Sequence, residues 1–229
     1  MIVAVHQPQY LPWLGYFDKI RQADIFCYLD NVQYKKNDWQ NRNRIKTSQG
    51  WQWITVPVRF QFPEKICEVK INLTMKWRKK HLQALVTNYH RAPFFKQYID
   101  LYEQIYSEDW EYVSELNIDS IERLKAALGL SRKPAIKASQ LELREDPTGR
   151  LIDICRQVKA DTYLSGQDGI KYMDLERFKE NSIKVIIQDF KHPVYQQMFE
   201  GFQSHMSVVD LLFNCGPESL GKICEANQG

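Results

Sequence analysis

The segment of the sequence with the densest chemical functionality runs from His6 to Trp13. It offers a histidine that could act as a general base, glutamines that could hydrogen-bond a ligand, and aromatic rings that could stack on one. Pro8 and Pro12 stiffen the same stretch. A lone histidine is more often structural, but these neighbours favour a site. We therefore predict that His6 is catalytic and that three neighbours bind substrate: Gln7, Tyr10 and Trp13.

A second polar segment runs from Asp30 to Arg44 and mixes amides, aromatic rings and four cations. It could hold phosphate or carboxylate while a ring stacks on a base or a sugar. The competing interpretation is a solvated loop whose aromatic residues cover the edge of the core. The guanidinium fork recognises anions directionally, which favours the arginines over Lys35 and Lys36. We predict a catalytic Asp30 and three substrate-binding residues: Asn41, Arg42 and Arg44.

Two later segments add further candidates. The stretch from Tyr163 to Gly169 has small residues that permit a ligand to approach the backbone, although it matches neither a Walker motif nor a dinucleotide fingerprint. The stretch from His192 to Gln197 has a second His-Pro pair, for which a rigid structural loop is the simpler interpretation. From these segments we predict a catalytic His192 and three substrate-binding residues: Ser165, Gly166 and Tyr195.

The five cysteines indicate neither a redox nor a zinc motif. They are odd in number and widely spread, with no Cys-x-x-Cys pair, so we expect reduced thiols. Cys27 and Cys155 lie in apolar stretches that predict burial. No set of histidines, cysteines and carboxylates has the spacing of metal ligands, so we predict no metal site, and the sequence identifies no cofactor.

Apolar periodicity predicts an α/β fold with a mainly parallel sheet flanked by helices. A helical pattern at 14–22 separates two apolar, β-branched runs, which is typical of a parallel pair with a crossover helix. Further strand-like runs alternate with helical patterns later in the chain. The strand-like runs are 2–5, 24–29, 135–138, 162–164 and 183–187.

Two features interrupt this alternation. Residues 51–58 and 66–73 predict a β-hairpin, and residues 76–130 predict a helical insertion that ends at Gly129. Ser207 and Gly216 are expected to begin and end a last buried helix. No linker divides the chain convincingly, so we expect one domain over 1–229, which could include a helical subdomain at 76–131.

Ligands of open parallel sheets bind beyond the carboxyl ends of the strands, where the loops converge. That rule selects residues directly after predicted strands, among them His6, Asp30 and Ser165. We therefore expect the candidate residues to face one shared cleft.

The charge and hydropathy of the sequence limit the classes of partner that we expect. The formal net charge is +3, with basic residues interleaved among acidic ones, so we expect no nucleic-acid partner. The opening apolar run is too short for a signal peptide, and no run approaches the roughly 20 apolar residues that a spanning helix needs. We therefore expect a cytoplasmic protein without membrane insertion.

The segment from His6 to Phe17, HQPQYLPWLGYF, resembles the opening motif of the WbqC-like family. Later segments resemble further blocks of that family in the expected order, so the resemblance covers nearly the whole chain. It implies the setting of bacterial surface-polysaccharide (O-antigen) gene clusters and brings no firmly established reaction. The later matching segments are 30–34, 39–44, 163–166, 192–197 and 207–214.

Three functions follow from the residues and this resemblance. The leading hypothesis is a transferase that adds an acyl or aminoacyl group to an activated amino sugar, with a nucleotide sugar as substrate and an acyl-carrier protein as a partner. A second is nucleotidyl transfer or ATP-dependent activation, because a histidine-bearing loop between strand and helix is similar to the start of nucleotidylyltransferase-like domains. Tyr10 and Trp13 stand where those domains have a second histidine. The third is a non-catalytic binding or scaffolding protein of polysaccharide assembly, for which tryptophans such as Trp39, Trp51, Trp53 and Trp77 could serve a partner surface, although most are expected to pack in or rim the core.

Overall fold

The computed structural model describes residues 1–225, within which nine strands and eight α-helices follow one another along the chain. In chain order these elements are β1 (Ile2–His6), α1 (Leu14–Gln22), β2 (Ile25–Tyr28), β3 (Arg42–Thr47), β4 (Gly50–Thr55), β5 (Val58–Arg59), β6 (Lys70–Ile71), α2 (Trp77–Tyr89), α3 (Phe95–Ser107), α4 (Val113–Ala127), β7 (Ala135–Lys137), α5 (Pro147–Gln157), β8 (Thr162–Ser165), α6 (Leu175–Glu180), β9 (Lys184–Ile187), α7 (Val208–Cys215) and α8 (Ser219–Glu225).

Five of these strands form a parallel sheet in the order β7-β2-β1-β8-β9. In the centre, Val3 of β1 pairs with Ile25 on one side and Tyr163 on the other. The chain winds outward from β1 through β2 to β7 and then returns to β8 on the opposite side of β1. The predicted α/β fold with a mainly parallel sheet is confirmed, and its winding direction reverses between β1 and β8.

Each face of the sheet supports its own apolar core, because successive side chains of a strand point to opposite faces. Val3 and Val5 pack in a cluster with Ile152 of α5 and Phe178 of α6. Ala4 belongs to the larger cluster on the other face, which also holds residues of α1, α2, α3, α4, α7 and α8. Helices therefore cover both faces of β1, as the continuous apolar run at 2–5 predicts.

The hairpin differs in its pairing from the one predicted. Strand β4 pairs with the preceding strand β3, and Arg44 lies opposite Trp53. Of the predicted hairpin, only the short β5 pairs with β6. The predicted pairing of 51–58 with 66–73 is therefore wrong for residues 51–55. The polar alternation of β3 resembles a solvated loop in the sequence, and Gly50, with a φ of 110°, provides the tight turn into β4.

The helix boundaries follow their sequence signals. The helical insertion is confirmed as α2, α3 and α4, and Gly129, with a φ of 77°, follows the end of α4. The Ser207 side chain accepts a hydrogen bond from the N–H of Val209 at the start of α7, and Gly216 ends that helix with a φ of 52°. Cys27 and Cys155 are buried as predicted, and all five cysteines are unbridged. Across residues 1–225, no helix combines the length and the apolarity that a membrane crossing needs.

Gly216 gives a test of this packing. A Cβ at Gly216 would lie 2.3 Å from the Phe94 ring, and the positive φ itself disfavours a side chain. We expect Gly216→Ala to lower the free energy of unfolding by roughly 3 kcal/mol in urea denaturation. Gly221→Ala is the control, because nothing lies within 4 Å of a Cβ there, and it should stabilise α8 by up to about 1 kcal/mol. Similar urea midpoints for the two variants would contradict this account.

Candidate functional site

A cleft of about 390 Å³ opens at the carboxyl ends of β1 and β8, where the winding of the sheet reverses. Its walls come from the end of β1, the first turns of α1, the loop after β8 and the residues after β9. In doubly wound sheets this reversal point is where ligands bind, because the loops on its two sides diverge and leave a crevice. The cleft brings together five of the predicted site residues: His6, Gln7, Trp13, Ser165 and Gly166.

Lys19 supplies the cation of the cleft. Its residue is only 4% exposed, and its ammonium donates a hydrogen bond to the Val5 carbonyl at 3.1 Å. Within residues 1–225, no carboxylate forms a salt bridge with it. Burial lowers its pKa to about 8, so the side chain is still mostly charged at neutral pH. A buried ammonium that has no counter-ion within residues 1–225 favours an anionic ligand.

His6 is the uncharged base of the same cleft. Burial first, and then the charge of Lys19, lower the pKa of His6 to about 3, so that the ring is neutral at physiological pH. Its Nδ1 lies 3.1 Å from the Gln7 carbonyl oxygen. That contact requires the proton on Nδ1, since a carbonyl only accepts, and it leaves Nε2 as an acceptor. The geometry therefore fixes a neutral tautomer whose Nε2 could accept a proton.

The start of α1 forms one wall of the cleft through Gly15, Tyr16 and Lys19. A side chain at Gly15 would meet the Trp13 indole at 2.3 Å, so glycine is what allows the ring to lie against the helix. Gln188, after β9, donates hydrogen bonds to the Gly15 carbonyl at 2.9 Å and to the Asp18 carboxylate at 2.7 Å. These contacts fix the first turn of α1, whose N–H groups carry the positive end of the helix dipole.

The loop after β8 forms the opposite wall. Ser165 is 1% exposed and its hydroxyl donates to the Gly166 carbonyl at 2.9 Å, so its role is to shape the loop. A Cβ at Gly169 would lie 2.2 Å from the Ser165 hydroxyl oxygen, and a Cβ at Gly166 would lie 3.9 Å from the Lys19 ammonium. Glycine at 169 thus lets the backbone close over the serine, and Gly166 lies beside the buried cation.

Tyr10 and Asp30 do not line this cleft. Tyr10 is fully buried, and its hydroxyl is hydrogen-bonded to Nδ1 of His81 at 2.9 Å and to the Tyr106 hydroxyl at 2.7 Å. The Asp30 carboxylate is buried and accepts hydrogen bonds from the Ser139 N–H at 2.8 Å and the Ser139 hydroxyl at 2.6 Å. Both side chains are occupied by contacts that hold distant parts of the chain together.

The two predicted arginines lie on the β3–β4 hairpin, outside the cleft lining. The Arg42 guanidinium stacks over the Trp53 ring at 4.2 Å, and Arg44 lies among the rings of Trp39, Trp51 and Trp53. Asn41 is buried and donates to the Val56 carbonyl at 2.8 Å. These three predicted residues form a second region, separate from the lining of the cleft.

His192 and Tyr195 lie behind one wall of the cleft. The His192 ring is 6.3 Å from that of Phe190, which lines the cleft and packs against Trp13. Its Nδ1 lies 2.9 Å from the Pro193 carbonyl oxygen. Tyr195 donates to the buried carboxylate of Asp210 at 2.8 Å, which ties this segment to α7. Their position suits support of the cleft wall more than contact with a ligand.

Sequence reasoning missed Lys19, Gly15 and Gln188. The available signal was the polar pair Asp18–Lys19 inside a short helix that directly follows the first strand loop. In the fold Lys19 donates to the Val5 carbonyl and Asp18 accepts from Gln188, and both residues are buried. A buried charge needs either a partner or a ligand.

Together the fold and the site define an α/β protein with a cleft at the reversal point of a parallel sheet, lined by the buried cation of Lys19 and the neutral imidazole of His6. The chain belongs to the WbqC-like protein family, whose profile matches residues 7–222. It is also 42% identical over 221 residues to an uncharacterized protein, Rv1507c, of Mycobacterium tuberculosis, an alignment that covers 95% of each chain. No solved structure is significantly similar to the chain.

Replacing Lys19 tests whether its charge is kept at the expense of stability. Its pKa falls from 10.5 to about 8 on burial, a cost of roughly 3 kcal/mol at neutral pH. Lys19→Met removes that cost and loses one hydrogen bond worth about 1 kcal/mol. We therefore expect the variant to melt roughly 5 °C higher than the parent at pH 7 in calorimetry.

The buried Lys19 charge also predicts how the folding stability depends on pH. The folded protein binds fewer protons at Lys19 than the unfolded chain between about pH 8 and 10.5, so the parent gains stability as pH rises through that window. The advantage of Lys19→Met should be full below pH 8 and fade towards 10.5. Lys184→Met, on the exposed edge of β9, is the control and should leave the melting temperature unchanged. A Lys19→Met variant less stable than the parent at pH 7 would contradict the conclusion that the buried Lys19 charge destabilises the fold.

Proposed function

We propose that the protein is a transferase of bacterial surface-polysaccharide (O-antigen) biosynthesis that adds an acyl or aminoacyl group to the amine of a nucleotide-linked amino sugar. The observation that carries the proposal is the presence, in one cleft, of the buried Lys19 ammonium and the uncharged His6 imidazole. The first suits a diphosphate, and the second suits removal of a proton from an attacking amine. Membership of the WbqC-like family supports the polysaccharide setting.

The diphosphate of the nucleotide sugar would lie between Lys19 and the first turn of α1. Gly15 lines the cleft at that turn, where helix N–H groups and the helix dipole favour phosphate oxygens. Gly166 would allow the phosphates to approach the backbone of the opposite loop. This arrangement assigns the phosphate-binding role to Lys19 instead of Arg42 and Arg44.

In the transfer step, the amine nitrogen of the sugar attacks the carbonyl carbon of the acyl donor, for which a thioester on an acyl-carrier protein is the chemical class that fits. A C–N bond forms and the C–S bond breaks. His6 Nε2 takes the proton that the amine loses and returns it to the departing thiolate, so that the products are an amide and a thiol. The cleft residues thus supply orientation and proton transfer.

The low pKa of His6 makes it a weak base in the free protein, and substrate binding would correct this. Burial is the main cause of the low value and the charge of Lys19 is the second. A diphosphate bound to Lys19 would place negative charge near the imidazole and offset the cation, which raises the pKa of His6. The base would therefore become effective when the nucleotide sugar is in place.

The experiment that tests this role is His6→Gln, which keeps hydrogen-bonding capacity and removes the base. Turnover with a UDP-linked amino sugar and an acyl-thioester should fall by about 10²–10⁴-fold. The dissociation constant for UDP-N-acetylglucosamine, measured by isothermal titration calorimetry, should change by less than about threefold. His90→Gln, at an exposed position after α2, is the control and should leave both unchanged. Equal losses of turnover and affinity would exclude His6 as the base.

A second candidate function is nucleotidyl transfer, favoured by the strand order and by the position of His6 on the loop between the first strand and the first helix. In that reaction a sugar phosphate attacks the α-phosphorus of a nucleoside triphosphate, and pyrophosphate leaves. Lys19 would then stabilise the charge of the phosphates. Release of pyrophosphate from a nucleoside triphosphate and a sugar phosphate, abolished by Lys19→Met, would favour this function over acyl transfer.

A further inference from the structure

We infer that the exposed face of the β3–β4 hairpin binds an acidic saccharide chain, at a subsite outside the cleft. The choice of a saccharide as the ligand rests on the proposed function, whereas the negative charge of that ligand is inferred from the hairpin itself. We refer to this surface as the cation–indole face, formed by Trp39, Arg42, Arg44, Trp51 and Trp53.

The register of the hairpin creates this face. Arg44 pairs with Trp53, and Lys46 pairs with Trp51, so alternate residues of both strands project on the same side. The Arg42 guanidinium lies 4.2 Å from the centre of the Trp53 ring, and that of Arg44 lies 5.1 Å from the centre of the Trp51 ring. Stacking on the indoles holds the guanidinium groups in place and leaves their planar edges as donors.

The positive charge of the face has no acidic side chain paired with it in residues 1–225. Within the described part of the chain, neither Arg42 nor Arg44 forms a salt bridge. Arg42 donates instead to the Asn37 carbonyl, and Arg44 donates to the His205 carbonyl at 3.2 Å. The acid of the adjoining loop, Asp38, pairs with Lys35 at 3.4 Å. Two oriented guanidinium groups without acidic partners favour an anionic ligand by charge complementarity.

The indoles of the face remain accessible despite their size. Trp51 is 42% exposed and Trp53 is 37% exposed, whereas a purely structural stack of rings and guanidinium groups would gain by burying them. Their ring centres are 5.5 Å apart and their planes meet at 83°, so the two rings form a corner. Exposed apolar surface at such a corner, beside free cations, is typical of a binding site.

The shape of the corner favours a sugar over single-stranded nucleic acid. A pyranose ring presents C–H groups on one face and polar groups at its edge, so it can stack on one indole while an edge carboxylate meets a guanidinium. Successive bases need parallel aromatic platforms, and a nucleic-acid site needs a wider basic surface than a chain with a net charge of +3 supplies.

The face is continuous with the cleft. Arg44 contacts the His205 carbonyl, and the His205 ring stacks on the Trp13 ring with centres 5.5 Å apart. Trp13 in turn lines the cleft. A saccharide held on the cation–indole face would therefore lie next to the substrate in the cleft, as a growing or finished acidic chain would.

Isothermal titration calorimetry with tetragalacturonate tests the inference, with maltotetraose as the neutral probe and an oligothymidylate as the nucleic-acid probe. The intact protein should bind tetragalacturonate and bind maltotetraose at least about tenfold more weakly. Trp51→Ala and Arg42→Gln should each weaken tetragalacturonate binding by about tenfold or more, and Trp51→Phe should lose less because a stacking ring remains. Circular dichroism melting would verify that each variant is folded.

The control is Arg78→Gln, which removes another guanidinium beside an indole, that of Trp77, on α2. It should leave tetragalacturonate affinity unchanged. Absence of tetragalacturonate binding, an equal loss in Arg78→Gln, or tighter binding of the oligothymidylate through the same residues would each overturn the inference.

Binding of UDP-N-acetylglucosamine to the same variants separates this inference from the proposed function. Trp51 and Arg42 do not line the cleft, so their variants should bind the nucleotide sugar as the intact protein does. Nucleotide-sugar binding without tetragalacturonate binding overturns the subsite alone. Tetragalacturonate binding without nucleotide-sugar binding overturns the proposed cleft function and supports the subsite.

Discussion

The burial of one uncompensated ammonium, that of Lys19, is the constraint on which the cleft depends. An ammonium taken out of water needs a partner, and within residues 1–225 its hydrogen bond is to the Val5 carbonyl at 3.1 Å. Several contacts are then required to hold α1 in this costly position. Gln188 binds both Gly15 and Asp18, and the Trp13 indole lies on Gly15. Two apolar cores on opposite faces of the sheet supply the stability that this arrangement consumes. Retaining such a charge is a typical trade of stability for ligand binding.

The parallel sheet could be predicted because its strands are short apolar runs separated by segments of helical periodicity. The rule that ligands bind at strand ends then placed His6, Gln7, Ser165 and Gly166 together, and they do line one cleft.

Lys19 could not be found this way, since helical periodicity assigns polar residues to solvent. Its ammonium lies beside Gly166 in the loop after β8, which is distant in sequence. Tyr10 shows the opposite failure. Its polar tip suggested a ligand contact, but His81, 71 residues further along the chain, and Tyr106, 96 residues further along, bury it. The hairpin prediction was wrong for a local reason: the polar and basic residues of β3 lack the apolar pattern of a strand, although they pair with β4 and stack on its indoles.

The cations lie in two regions with different physical characters, whereas the sequence analysis expected Arg42 and Arg44 in one cleft with His6 and did not identify Lys19. In the cleft, one ammonium acts through low dielectric and the dipole of a short helix, which suits a compact diphosphate. On the hairpin, guanidinium groups act through direction and stacking, which suits a planar carboxylate on a sugar ring. The Trp13–His205 stack joins the two regions. This position explains why the opening segment contains Trp13, whose ring is neither in the core nor exposed as a stacking surface.

The coupling between Lys19 and His6 has a reciprocal consequence for any anion in the cleft. The charge of Lys19 helps to hold the pKa of His6 near 3, so an anion that offsets this charge must raise it. By thermodynamic linkage, protonation of His6 must then strengthen the binding of the same anion. An anion in the cleft and a proton on His6 would therefore bind cooperatively. In the transfer that we propose, His6 is neutral both before the amine attacks and after the thiol leaves, so this coupling stabilises the imidazolium that exists between the two steps.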